Sequence, residues 1–174
     1  MASFKVISGG QNGADQAALF AAEHFKFSTG GTIPHAYYTL DGPAPWLSAY
    51  GLVPLQSNAS ISIQYVIRSR KNVDDSDGTL AFRTHPSSGT DKTIGYALTR
   101  SWYVPRSFDI ETSYRPVCVV ADVNSETEQA RVVQFIKDNN IKILNVCGHR
   151  EPDAIAKSWT RSVEHFLMGV FSQL

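Results

Sequence analysis

The chain has 174 residues and 43% hydrophobic content, enough for one compact domain with a sizeable core and thin for two. Sixteen Lys plus Arg balance sixteen Asp plus Glu, and 18% charged residues lies below the roughly 25% of ordinary soluble chains. Disorder and nucleic-acid binding by bulk charge are therefore disfavoured, and no apolar run approaches the roughly 18 residues of a membrane span.

Met1-Ala-Ser-Phe-Lys passes directly into a strand-like run with no export signal, and Cys118 and Cys147 each sit inside an apolar run. That suits two buried free thiols in a reducing, cytoplasmic compartment. Phe4 to Ser8 reads as a strand, Gly9 to Gly13 as a turn, and Asp15 to His24 as a helix. Gly30 to Ile33 suggests a short second strand. Pro34 to Ser60, with four prolines and no clear periodicity, reads as a long, partly ordered loop. Apolar positions from Ile63 to Val73 fit a helical face imperfectly, and their β-branched content also permits a strand.

Gly78 to Phe82 then reads as a buried strand and Thr90 to Trp102 as a helix entered through Gly89-Thr90. Arg115 to Ala121 is a continuous apolar run, and Ser125-Glu-Thr-Glu128 is a capping box before the next helix. Ile141 to Cys147 is another strand. Gly148-His-Arg-Glu-Pro leads from it into a last amphipathic helix carrying Ile155, Trp159, Val163, Phe166, Leu167 and Val170. Alternating units of this kind predict an α/β fold with a parallel sheet covered on both faces.

In such a sheet the loops leaving the strands' carboxyl ends gather on one side, and ligands bind there. The loops from Ser8 to Asp15 and from Arg83 to Thr93 pair glycines with a helix start, so bare amides can approach a phosphate. GGQNGAD matches neither a nucleoside-triphosphate loop nor the dinucleotide fingerprint, so Gly9, Gly10 and Gly13 could equally serve a tight turn that packs a helix on the sheet. Asp15 could face a ligand or complement the first helical turn; Thr90 could bond a phosphate or cap its helix. Arg150 could grip an anion or pair with Glu151. No metal-ligand spacing is present.

Four blocks in order, ISGGQNGADQAAL at 7–19, RSRKNVDDSDGTL at 68–80, SGTDKT at 88–93 and LNVCGHRE at 144–151, together resemble the molybdenum carrier family. That family belongs to the circularly permuted branch of the Rossmann-like SLOG superfamily. The resemblance implies a single Rossmann-like three-layer domain, homo-oligomeric as a dimer or tetramer. It would bind and protect the molybdenum cofactor without turning it over, with molybdoenzymes as recipients and neither nucleic acid nor membrane as partner.

The cofactor is a flat pterin bearing a phosphate, a dithiolene and an oxo-metal. Matched by position, the resemblance implies ligand-side residues Ser8, Gly9, Gly10, Gln11, Asn12, Gly13, Ala14 and Asp15, with Ser76, Asp77, Ser88, Gly89, Thr90, Thr93, Gly148, His149 and Arg150. Tyr37, Tyr38 and Trp46 are candidates to shield the oxidisable part. Two rivals share the fold: a nucleoside-monophosphate phosphoribohydrolase and a nucleotide-sensing module. Hydrolase relatives carry a Glu three residues after a Gly-Thr pair, where this chain has Thr93, and its nearest carboxylate, Asp91, is two positions early, about 200° around a helix.

Overall fold

The computed structural model describes residues 4–101, 114–152 and 157–174. Eight strands run β1 (Lys5–Ser8), β2 (Ser28–Ile33), β3 (Tyr38–Thr39), β4 (Gly42–Pro43), β5 (Leu52–Pro54), β6 (Gly78–Phe82), β7 (Val117–Val120) and β8 (Ile143–Gly148). Five helices alternate with them: α1 (Ala14–His24), α2 (Ile61–Asp74), α3 (Ser88–Thr99), α4 (Glu126–Asp138) and α5 (Ser158–Phe171). Six strands form one sheet in the order β5-β2-β1-β8-β6-β7, and every pairing in it is parallel.

Side chains alternate across this sheet and so sort the helices into two layers. Leu80, Phe82, Leu144 and Val146 bury one face with Ala17, Ala21, Val132, Phe166 and Val170 of α1, α4 and α5. Ala81 and Cys147 turn to the other face and meet Ile94 and Leu98 of α3, beside which α2 packs. Strands covered on both sides must be apolar at consecutive positions, and Gly78 to Phe82 is buried throughout. The expected three-layer α/β arrangement is what forms.

The last strand in sequence, β8, inserts between β1 and β6. From it the chain builds outward in two directions, through β1, β2 and β5 on one side and β6 and β7 on the other. Loops leaving β1, β6 and β8 therefore diverge over one spot, the place where open parallel sheets bind ligands.

One segment differs from expectation and an ambiguous one is settled. Pro34 to Ser60 is ordered: it holds a 3₁₀ turn at His35–Tyr37, the β3-β4 hairpin, a second 3₁₀ segment at Pro45–Tyr50 and the edge strand β5. Leu47 and Leu52 close a small second core with Leu19 and Ile33. The ambiguous segment is a helix, α2, whose buried positions are Gln64, Asn72 and Val73. Asn72 accepts the Thr32 N–H at 2.7 Å and donates to the Thr32 carbonyl at 3.1 Å, while Gln64 accepts the His35 N–H at 2.9 Å. Elsewhere Ser125 caps α4, accepting the Glu128 N–H at 3.2 Å. α3 ends at Thr99 with Arg100 left-handed at φ 58°; Trp102 and Ile155 lie outside the described residues.

Candidate functional site

Over the diverging loops lies a cleft of about 580 Å³. Its walls come from the β1-α1 loop, α2, the β6-α3 loop with the start of α3, and the β8-α5 loop. Of the expected ligand-side residues it brings together Gln11, Asp15, Ser88, Gly89, Thr90, Thr93, Gly148, His149 and Arg150. Three cations, Arg68, Lys92 and Arg150, and one carboxylate, Asp15, are among its lining residues.

The first bend is filled by the protein itself. Asp15 turns its carboxylate back into the loop, where Oδ2 accepts the Gln11 N–H at 3.2 Å and pairs with Arg68 Nη1 at 3.3 Å. Burial pushes this carboxyl up; Arg68 and the amides of Gln11 and Gly9 pull it back. A Cβ on Gly9 would stand 1.5 Å from Arg68 Nη1, so the missing side chain makes room for the guanidinium. Gly9→Ala should displace Arg68 and destabilise the protein by about 1–3 kcal/mol, as overpacking does, read as a lower urea midpoint.

The other glycines and backbone groups of the first loop serve packing. Gly10 has φ 76° and would aim a Cβ at Leu52 and Ile33, into the second core, not at a ligand. Gly13, at φ 97°, lets the loop dock on the next one: a Cβ there would lie 2.5 Å from the His149 carbonyl oxygen. The Ala14 N–H donates to that same carbonyl at 3.1 Å, and the Asn12 carbonyl accepts the Glu151 N–H at 3.3 Å. Ser8 donates its hydroxyl to the Asp15 carbonyl at 3.0 Å. Ser8, Gly9, Gly10, Asn12, Gly13 and Ala14 thus shape the cleft's base without lining it.

Ser76 and Asp77, expected on the ligand side, lie farther from it. Both precede β6, at the amino edge of the strands, away from the cleft. Ser76 donates to the Val73 carbonyl at 2.9 Å as α2 ends, and Asp77 accepts the N–H groups of Lys142 and Ile143 at 2.9 and 2.7 Å. The aromatic candidates also sit elsewhere. Trp46 stacks on Phe20 at 6.2 Å, Tyr37 packs on the second core, and Tyr38 is exposed. The aromatic residues that do line the cleft, Tyr65 and Trp159, come from α2 and α5.

The second bend is open. α3 begins at Ser88, and its N-cap Ser87 makes no side-chain cap. The first-turn amides of Ser88, Gly89 and Thr90 have no acceptor within the helix and carry its positive end. A Cβ on Gly89 would meet nothing within 4 Å. Asp91, one residue on, is held away: Arg83 donates to both its oxygens, and it accepts the Ser87 N–H at 3.3 Å. The Arg83 bond keeps the Asp91 carboxyl below the usual range.

Three residues that line the cleft each carry a buried polar atom with no partner among the described residues: Gln11 Nε2, the Tyr65 hydroxyl and Arg68 Nε. Arg68 was within reach of sequence reasoning, since it opens the block at 68–80; position alone did not separate it from Ser76 and Asp77. Arg150 is exposed toward the cleft. The alternative pair with Glu151 does not form, because Glu151 turns inward and accepts the Thr160 N–H at 2.7 Å at the start of α5.

His149 ties the β8-α5 loop to the β6-α3 loop. Its Nε2 accepts the N–H groups of Thr84 and His85 at 2.9 and 3.3 Å, and its ring stacks on His85 at 4.0 Å. Burial, then His85 and Arg83, hold its pKa below the ordinary 6.5, with Asp91 opposing. The unfolded imidazole takes its proton near 6.5 and the folded one only at lower pH, so stability should fall as pH drops through that window and then level off. A urea midpoint falling less in His149→Asn, which does not titrate, would bear this out; identical profiles would remove His149 as the acceptor. Cys147 lies under the cleft, its thiol pushed far up by burial and by Asp15. Both cysteines are free and buried.

Among the described residues no helix is long and apolar enough to cross a membrane, and no three His, Cys, Asp or Glu side chains gather as a metal site. The circularly permutated YpsA SLOG family matches residues 6–170. The crystal structure of a "Putative molybdenum carrier protein" from Syntrophus aciditrophicus SB is 26% identical, covers 98% of this chain and 94% of its own, and superposes with a TM-score of 0.70. No curated protein matches significantly.

Proposed function

The chain belongs to the circularly permutated YpsA SLOG family, and on that premise we propose that it is a carrier that holds the molybdenum cofactor, or a related phosphorylated heterocycle, without turning it over. The observation that carries this reading is the two-sided cleft: an uncapped helix start facing Gln11, Tyr65 and Arg68, whose polar atoms lack partners. A guest with an anion at one end and a polar ring at the other would satisfy both walls. Buried unpaired donors cost free energy, which a ligand that completed them would recover.

The residues fit a phosphate. Amides of Ser88, Gly89 and Thr90 would receive its oxygens, and Lys92 and Arg150 would balance its charge. With no gathered metal ligands among the described residues, a metal-bearing cargo would be held through its phosphate and ring. The bound cofactor supplies a redox-active oxo-metal to whichever enzyme receives it, and the carrier's own task is to bind, orient and exclude water. The grip of Arg83 on Asp91 supports binding over hydrolysis, because the one acidic side chain near the start of α3 is already engaged. The reading extends to a homo-oligomer that passes its cargo to molybdoenzymes.

Incubating the purified protein with molybdenum cofactor, a pterin phosphate and nucleoside monophosphates, and measuring retention and product together, tests it. Retention without a released base supports the carrier. Release of base supports the hydrolase, and tight nucleotide binding without turnover supports a sensor. Thr90→Val, at a buried position on the cleft wall, should weaken phosphate-ligand binding by about 1.5–3 kcal/mol, one charge-assisted bond. A negligible change by calorimetry would reduce Thr90 to a packing residue.

A further inference from the structure

We propose that Gln11, Tyr65 and Arg68 form a specificity wall that reads a hydrogen-bond-accepting edge of the guest's ring, so that the cleft prefers oxo-heterocycles to their amino counterparts. This rests on the reading of the cleft as a site for a phosphorylated heterocycle, and adds which heterocycle.

The polarity of the wall follows from bonds already made. Gln11 is 7% exposed, and its Oε1 accepts the Leu40 N–H at 3.0 Å. An amide N–H can bond only to the oxygen, which fixes the orientation of the side-chain amide. Nε2, a donor only, is therefore the atom left buried and unpartnered on a residue that lines the cleft. Arg68 is anchored through Nη1 on Asp15, which leaves its Nε unpartnered and, like every guanidinium nitrogen, able only to donate. The Tyr65 hydroxyl, the third unpartnered atom, can donate as well.

Two obligate donors and one hydroxyl, which can donate or accept, thus belong to residues that line one cleft, while the unpartnered amide of Asn12, with its acceptor oxygen, belongs to a residue that does not line it. A ring edge with a carbonyl oxygen and an adjacent ring nitrogen offers acceptors to this set. An edge with an exocyclic amino group would set donor against donor and leave the wall's groups unpaired. The same contrast separates the O6/N7 edge of guanine from the N6/N7 edge of adenine when Arg reads bases. Sites built on buried donors reject a ligand that lacks the acceptor more strongly than apolar pockets reject a missing methylene.

The test compares inosine 5′-monophosphate with adenosine 5′-monophosphate by calorimetry on the purified full chain, with ribose 5-phosphate and a pterin phosphate alongside. Inosine monophosphate should bind roughly tenfold to a hundredfold tighter than adenosine monophosphate. Tyr65→Phe should narrow that ratio and Gln11→Glu, which turns a donor into an acceptor, should collapse or invert it. Equal binding of the two nucleotides by the unaltered protein overturns the specificity wall alone. Should neither nucleotide, ribose 5-phosphate nor the pterin phosphate bind, the cleft reading itself falls and this inference with it.

Discussion

Replacing Gly89 with Glu is expected to remove ligand binding while raising thermal stability. The two effects have separate causes. Gly89 is the second residue of α3 and a Cβ there meets nothing within 4 Å, so the substitution fits without repacking. Removing glycine from a helix gains roughly 0.5–1 kcal/mol, and a carboxylate in the first turn adds about 0.3–1 kcal/mol against the helix dipole. The same carboxylate would stand among the amides that the guest's anion needs. Two unit charges about 4 Å apart repel by roughly 4 kcal/mol at an effective dielectric near 20, so affinity should fall by at least about a hundredfold. Gly89→Ala separates charge from bulk and should keep most of the affinity. A folded, more stable Gly89→Glu that still retained cofactor would place the guest away from α3.

Gly89 and Gly10 illustrate what the amino-acid sequence discloses and what it hides. Both lie between a strand and the body of the next helix, and glycine content alone makes them equivalent anion sites. The difference lies in what fills each bend. Asp15 is four residues from the Gln11 amide along the chain, but that its carboxylate folds back, and that Arg68 from 53 positions away meets it, depends on where α2 packs. The alternation of apolar strands with helices was legible because burial on both faces demands it. α2 was ambiguous because Gln64 and Asn72 occupy buried positions where periodicity looks for apolar residues, their polarity being spent on β2 and the turn that follows it. The edge strand β5 was missed since Leu52–Pro54 is three residues long with Val53 exposed, too short to carry a pattern. Ser76 and Asp77 shared a block with Arg68, yet a strand lies between them and the cleft, and only topology tells the two ends of β6 apart.

Asp15→Ala should cost about 3–5 kcal/mol in urea unfolding, the penalty for leaving a buried charge without its partner. Asp15 and Arg68 side chains are 5% and 14% exposed, so little water reaches the orphaned guanidinium. The Gln11 N–H would lose its acceptor as well. An inorganic anion offers what the carboxylate supplied, and because Asp15 lines the cleft the vacated cradle is reachable from solvent. Sulfate at about a hundred times its dissociation constant would return roughly 2.7 kcal/mol to the variant. Chloride at matched ionic strength controls for screening, and sulfate should stabilise the variant more than the parent, where the first bend is filled and the start of α3 alone is left open to the anion. The double variant Asp15→Ala with Arg68→Met should lose less than Asp15→Ala alone, since removing both charges leaves neither orphaned. A single variant as stable as the parent would mean that the carboxylate does not hold the bend shut. Equal stabilisation of parent and variant by sulfate would mean that the anion enters elsewhere, the open start of α3 being the first place to look.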